Sequence, residues 1–174
     1  MKIFIYGFKP YQHFSENITE TLVNSLPRLS NVSRHVFQVE FNYEMFISKL
    51  RYHKPDMIIG LGQHPRARKL RIERKSKNLY KTEDGKSHVI SKDSPEYLFA
   101  NFKLDSIEGT TTTYDAGTYV CNFSMYLMCE YAIKNNVKFA FLHVPVSIDK
   151  TFLLNYLAGQ ISDREANLNQ VAKS

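Results

Sequence analysis

Three short apolar runs, each cut off by glycine or proline, constrain this chain more than any other feature. They are Lys2–Phe8, Met57–Gly62 and Val137–Val144. Each is too short for a typical helix and too uniformly apolar for a strand with one wet face. Each therefore reads as a strand buried on both sides. After the first run, Ile18, Leu22, Val23 and Leu26 follow helical spacing up to Pro27, with Ser15 as a candidate N-cap and Glu16 near the first turn. Val32 to Phe41 alternates and predicts a half-buried strand, its apolar face on the odd positions plus Val36. Tyr43 to Tyr52 returns to helical spacing and Lys54-Pro55-Asp56 breaks it. Strand, helix, strand, helix, strand argues an α/β fold: a three-layer sandwich with a largely parallel central sheet and helices on both faces. A length of 174 residues suits one domain, 1–174, with a polar tail from about 162 to 174.

The second half is less regular. Arg68 to Leu79 reads as extended, Asp84-Gly85 as a hairpin turn, and Thr110 to Thr113 as a strand. Ser94-Pro95-Glu96 predicts a short helix carrying Tyr97, Leu98 and Phe102. Tyr119 to Ile133 predicts a long amphipathic helix, with Tyr119, Phe123, Tyr126, Leu127, Glu130 and Ile133 near one stripe, ended by Asn135-Asn136. Thr151 to Leu157 continues apolar and helical.

No apolar run approaches the roughly 18 residues of a membrane-spanning helix, so no membrane association is expected. Cys121 and Cys129 lie eight residues apart in one predicted helix, roughly 12 Å along its axis, too far to pair. Two free thiols suit a reducing cytoplasm. The net charge of +6 is uneven. Between Arg66 and Lys81 stand Arg66, Arg68, Lys69, Arg71, Arg74, Lys75, Lys77 and Lys81 against Glu73 alone. Such a cluster can attract nucleic acid or an acidic ligand, or it can be a solvated face. No nucleic-acid reader motif accompanies it, so nucleic acid is not an expected partner.

Chemistry is carried by Asp115-Ala116-Gly117-Thr118-Tyr119-Val120-Cys121-Asn122. It reads as a turn entering a helix, with a cysteine in the first turns, where free backbone N–H groups and the helix dipole favour thiolate. His143 follows at the carboxyl end of the third buried run, the end of a parallel sheet where ligand sites form. Cys and His make a nucleophile and a base once a third group orients the imidazole. Asp115, Glu73 and Glu83 are candidates, and spacing does not choose among them. The six histidines show no metal-ligand spacing with the cysteines or one another, so neither metal nor cofactor is expected.

Four stretches in order resemble the pyroglutamyl peptidase I (pyrrolidone-carboxylate peptidase) family. Ala116-Gly117-Thr118-Tyr119-Val120-Cys121-Asn122 resembles its nucleophile motif, and Gly7-Phe8-Lys9-Pro10-Tyr11 its N-terminal loop. Gly60-Leu61-Gly62-Gln63 with Glu73-Arg74 resembles its acidic segment, and Phe141-Leu142-His143-Val144-Pro145 its histidine strand. The resemblance runs from Lys2 to about Asn155 in a divergent chain. It implies a cysteine exopeptidase that removes N-terminal 5-oxoproline from peptides through an acyl-enzyme. In that frame Cys121 is the nucleophile, His143 the general base and acid, and Glu73 the orienting carboxylate. Phe8, Tyr11, Gln63 and Val120 form the lactam pocket, and the partner is a peptide with a blocked N-terminus. A homo-oligomer is left open. The recognition shell departs from the family pattern: Gln63-His64-Pro65-Arg66 replaces Gln-x-Gly-Gly, Tyr11 replaces Phe, Asn17-Ile18-Thr19 replaces Asn-Pro-Ser, and Phe41 aligns with a pocket threonine. Lys75-Ser76-Lys77-Asn78 stands where the segment after the carboxylate carries Ala-x-Asn. Two alternatives accompany this reading. One is a related amide hydrolase with an altered substrate. The other is an inactive binding module that uses the basic 66–81 segment.

Overall fold

A computed structural model describes residues 1–171, with side chains characterised as far as Ile161. The elements in chain order are β1 (Ile3–Phe8), α1 (Ile18–Ser25), β2 (Val32–Phe37), α2 (Tyr43–His53), β3 (Met57–Gln63), β4 (Leu70–Glu73), β5 (Lys75–Lys77), β6 (Tyr80–Lys81), β7 (Ser87–His88), β8 (Tyr97–Phe99), β9 (Thr110–Thr113), α3 (Val120–Asn135), β10 (Lys138–Val144) and α4 (Lys150–Val171). The polar tail expected at 162–174 is helical backbone as far as Val171. Residues 172–174, and the side chains from 162 onward, lie outside the described residues.

Six strands form one sheet in the order β2-β1-β3-β10-β4-β9. The three buried runs, β1, β3 and β10, are its parallel centre, as their uniform apolarity requires. β10 and β4 pair antiparallel, while β4 and β9 are parallel. Alternate residues of the central strands feed two cores. Phe4, Phe37, Phe139 and Phe141 pack with Phe46 and Leu50 of α2 and with Phe123 to Cys129 of α3. Ile3, Ile5, Met57, Ile59 and Leu142 pack with Leu22 of α1 and Leu153 and Leu157 of α4 on the other face. The result is the three-layer α/β sandwich. Among the described residues no helix is long and apolar enough to cross a membrane.

Several local expectations are corrected. Asn17, not Ser15, caps α1, its side chain accepting from the Thr19 N–H at 3.0 Å. β2 ends at Phe37, and the chain up to Phe41 leaves the sheet to reach Asn42, the cap of α2. Tyr97–Phe99 is strand rather than helix: β8 pairs antiparallel with β5, turning Leu98 inward and Tyr97 and Phe99 outward. The Ser91 and Ser94 hydroxyls are engaged with the Glu130 carboxylate and start no helix. The β5–β8 ribbon then lies over the outer side of α3. That helix is consequently buried on every side from Asn122 to Cys129 rather than along one stripe, and Ile133 is exposed. The Asp84-Gly85 turn does join a hairpin, β6 to β7, with Gly85 at φ +79°.

The register explains two glycines. Tyr6, Gly60, Phe141, Glu73 and Thr113 form one row across five strands, and Gly62, His143, Arg71 and Thr111 form the next row on the same face. Gly60 leaves room for its neighbours' rings: a Cβ there would stand 2.5 Å from Phe141 Cδ2 and 2.5 Å from Tyr6 Oη. Replacing Gly60 by Ala should therefore destabilise the fold by about 1–3 kcal/mol, as overpacking does. Chemical denaturation checks this, and an unchanged midpoint would contradict it.

Candidate active site

α3 begins without a side-chain cap. Its N-cap Tyr119 makes no side-chain capping hydrogen bond, and Gly117 takes φ +81° in the preceding turn. The first N–H groups of a helix lack intrahelical partners and carry the positive end of its dipole. Here they surround Cys121, whose thiol is the partly accessible one, while Cys129 is buried in the core. Burial pushes the Cys129 thiol up to about 12, which makes it an inert packing group.

Gly62 brings the helix start down onto the sheet. A Cβ at Gly62 would lie 2.7 Å from Cys121 Sγ and 3.1 Å from His143 Cδ2, so the bare backbone is what lets thiol and imidazole meet. His143 Nδ1 is 2.8 Å from Glu73 Oε1, which leaves Nε2 to face the Cys121 thiol. Glu73 is fully buried. Its other oxygen accepts from the Thr113 hydroxyl, and Arg71 Nε approaches Oε1 at 3.1 Å, an ion-pair contact without hydrogen-bond alignment. Burial opposes ionisation of Glu73, but the bonds from His143 and Thr113 and the charge of Arg71 outweigh it and hold the carboxyl below its ordinary value. Burial likewise disfavours the His143 cation, yet the Cys121 contact and then Glu73 outweigh it and raise the imidazole to about 9. Of the three candidate orienting groups, Glu73 meets the imidazole. Asp115 instead pairs with Lys77 at 2.9 Å.

A cavity of about 410 Å³ opens beside this relay. Phe8, Tyr11, Gln63 and Val120 all line it, together with Val39, His64, Pro65, Arg71 and Tyr119. Gln63 Oε1 is committed to the Ile18 N–H at 2.8 Å, and its buried Nε2 has no well-aligned partner among the described residues. The hydroxyl that distinguishes Tyr11 from phenylalanine sits by Gln63. Phe41 is not at the cavity: it packs on Tyr80, Tyr119 and Phe123, and Val39 lines the wall instead.

Three residues at the site escaped the sequence reading. Arg71 stood only as one member of a basic cluster. Here its Nη1 donates to His64 Nε2 at 3.0 Å and its Nη2 to the Asp115 carbonyl at 3.3 Å. An arginine only donates, so His64 Nε2 accepts and the ring is neutral. Burial, with His143 and Arg71 behind it, lowers the His64 imidazole to match. Asn122 is the third. Its side chain accepts from the Lys77 N–H at 2.8 Å and donates to the Lys77 and Leu79 carbonyls, stitching α3 to β5. The signals were weak: period two from Glu73 places Arg71 on its face of the strand, while His64 and Asn122 stood only as members of the Gln63–Arg66 and Ala116–Asn122 stretches, with no role of their own.

A family model described as pyroglutamyl peptidase matches residues 1–160. The chain belongs to the pyroglutamyl peptidase family. The pyrrolidone-carboxylate peptidase of Brachyspira hyodysenteriae is 26% identical over 192 aligned positions, covering 94% of this chain and 88% of that protein. Pyrrolidone-carboxylate peptidase 1 of Saccharolobus solfataricus is 25% identical, covering 84% and 79%. A mutant pyrrolidone carboxyl peptidase from the hyperthermophile Pyrococcus furiosus superposes with a TM-score of 0.81 at 22% identity, over 93% of this chain and 97% of that one. The Thermococcus litoralis enzyme gives 0.72 at 25%, over 86% and 78%. Family membership makes this a cysteine-type exopeptidase.

A group whose folded pKa is raised stabilises the fold fully below its unfolded value, and that contribution disappears as pH rises through the folded value. For His143 the window runs from its ordinary 6.5 to about 9. Glu73→Gln should lower the His143 titration seen by NMR and flatten the loss of thermal stability across that window. A His143 titration unmoved in the variant would show that Glu73 does not hold the imidazole.

Proposed function

We propose that this chain removes N-terminal 5-oxoproline from peptides by thiolate catalysis, with Cys121, His143 and Glu73 as the catalytic groups. The observation that carries the reading is the Glu73–His143–Cys121 chain of contacts ending at a small cavity walled by Phe8, Tyr11, Gln63 and Val120. A flat, neutral lactam suits an aromatic slot with few polar groups. Gln63 Nε2, which has no well-aligned partner among the described residues, fits the ring carbonyl as donor.

Cys121 Sγ attacks the carbonyl carbon of the bond that joins the lactam to the peptide. The tetrahedral oxyanion is stabilised by the uncapped N–H groups at the start of α3. His143 Nε2 gives its proton to the departing amine, the C–N bond breaks, and a thioester remains. His143 then takes a proton from water, whose oxygen attacks the thioester. Free 5-oxoproline leaves and the thiol sulfur is restored with a proton from His143. Glu73 keeps Nδ1 protonated and the ring oriented throughout, without itself taking the proton. Water is the sole co-reactant. Residues 1–174 act as one domain, and two free thiols suit a cytoplasmic setting. Nucleic acid is a poor fit to the 66–81 segment, because Arg71, Arg74 and Lys77 are each bonded within the protein.

The test is hydrolysis of a pyroglutamyl-coumarin amide. Cys121→Ala should lower kcat by at least about 10⁴-fold, the scale of losing a nucleophile from a concerted set. Wild-type protein that folds and turns over no pyroglutamyl amide would defeat the assignment. Gly62→Ala should lower turnover and slow alkylation of Cys121 together, since the added methyl displaces the sulfur.

A further inference from the structure

The basic segment has a place in the structure that the reaction does not use. It starts at one lip of the cavity, where Pro65 lines the opening and exposed Arg66 follows. It passes through the wall as Arg71 and continues into β5. There the ribbon with β8 sorts its residues by face. Ser76 and Leu98 are buried, while Lys75 and Lys77 stand opposite Phe99 and Tyr97 on the outer side. Tyr97 is 40% and Phe99 52% exposed, and Lys75 Nζ lies 4.7 Å over the Tyr97 ring. This ledge abuts the cavity, because Lys77 Nζ is bonded to Asp115, a lining residue. The same ion pair offsets the Asp115 carboxylate, and Glu96 beside the Tyr97 hydroxyl offsets the charge of Lys75, so the excess positive charge sits at the lip, on exposed Arg66.

A lactam held against Phe8, Tyr11 and Gln63 puts the scissile bond at Cys121. The rest of a peptide substrate therefore has to cross the rim. A chain leaving past Asp115 meets Lys77 at the edge of the ledge, and at roughly 3.3–3.6 Å per extended residue it crosses the ribbon in a few residues. We propose that Arg66 and the outer face of the β5–β8 ribbon form a docking surface for the substrate chain downstream of the scissile bond, selecting acidic residues there. The inference rests on the peptidase reading and adds to it a class of substrate. The positive rim supplies charge complementarity, and exposed Tyr97 and Phe99 supply apolar contact area beside it.

Three substrates test it: the pyroglutamyl-coumarin amide, a pyroglutamyl pentapeptide with glutamates after the bond, and the same peptide with lysines. The acidic peptide should have a kcat/KM about fivefold above the lysine one, the scale of a few exposed charge pairs. The preference should fade between about 0.01 M and about 1 M salt, as the screening length falls from about 30 to about 3 Å. Arg66→Glu with Lys75→Glu should reverse the preference while coumarin-amide turnover stays unchanged, which also shows that the variant is folded. Phe99→Ser should raise KM for both peptides and leave the coumarin amide unchanged. If the amide is cleaved and both peptides are cleaved equally, the docking surface is refuted while the peptidase stands. If no substrate is cleaved, the peptidase reading has failed and the inference with it. If Phe99→Ser splits a larger assembly without changing KM for either peptide, the ledge is an interface between copies and the proposal is overturned.

Discussion

The structure depends on a strip of strand without side chains. Gly60 and Gly62 lie on the same face of β3, in the middle of the sheet. Gly60 is filled by the Tyr6 and Phe141 rings, and Gly62 lies directly under Cys121 and His143. Close packing leaves no slack for a methyl at either position. Helix α3 can therefore set its first turn directly on the sheet, and every distance at the site follows from that approach. The strip costs backbone entropy and loses two packing side chains, a cost the surrounding core of buried aromatics offsets.

A second constraint is the buried carboxylate. A charge at Glu73 is tolerable only because His143, Thr113 and Arg71 all meet it. Three strands supply those partners: β10, β9 and β4 itself. The antiparallel pairing of β4 beside β10 sets Arg71 level with His143 and Glu73 level with Phe141, so both Arg71 and the imidazole converge on one oxygen. Arg71 also holds His64 and the Asp115 carbonyl, which links the lip of the cavity to the turn before α3. The basic segment is thus scaffold in its middle and surface at its ends.

The rebuilt recognition shell is coherent once seen in space. Pro65 and Arg66 replace glycines at the lip, where there is room for side chains. The hydroxyl of Tyr11 finds Gln63. Phe41 has left the cavity for an aromatic cluster with Tyr80, Tyr119 and Phe123, which braces the turn leading to α3. The departures from the family pattern therefore change the rim and the supports more than the floor of the pocket.

By itself the sequence determined the parallel centre of the sheet, because a strand buried on both faces has to be apolar along its whole length, as β1, β3 and β10 are. It also marked Cys121 and His143 through their positions at a helix start and a strand end. Local pattern could not decide what depends on distant partners. Tyr97–Phe99 became a strand because β5 was there to pair with it, and α3 was buried all round because that ribbon covers it. Three carboxylates were equal candidates along the chain. Only the register of β4 against β10 brought Glu73 to the imidazole, and only the spare backbone at Gly62 let the thiol reach it. Hydrophobic period is a property of neighbours in sequence, whereas a hydrogen bond spanning seventy residues exists only once the sheet has closed.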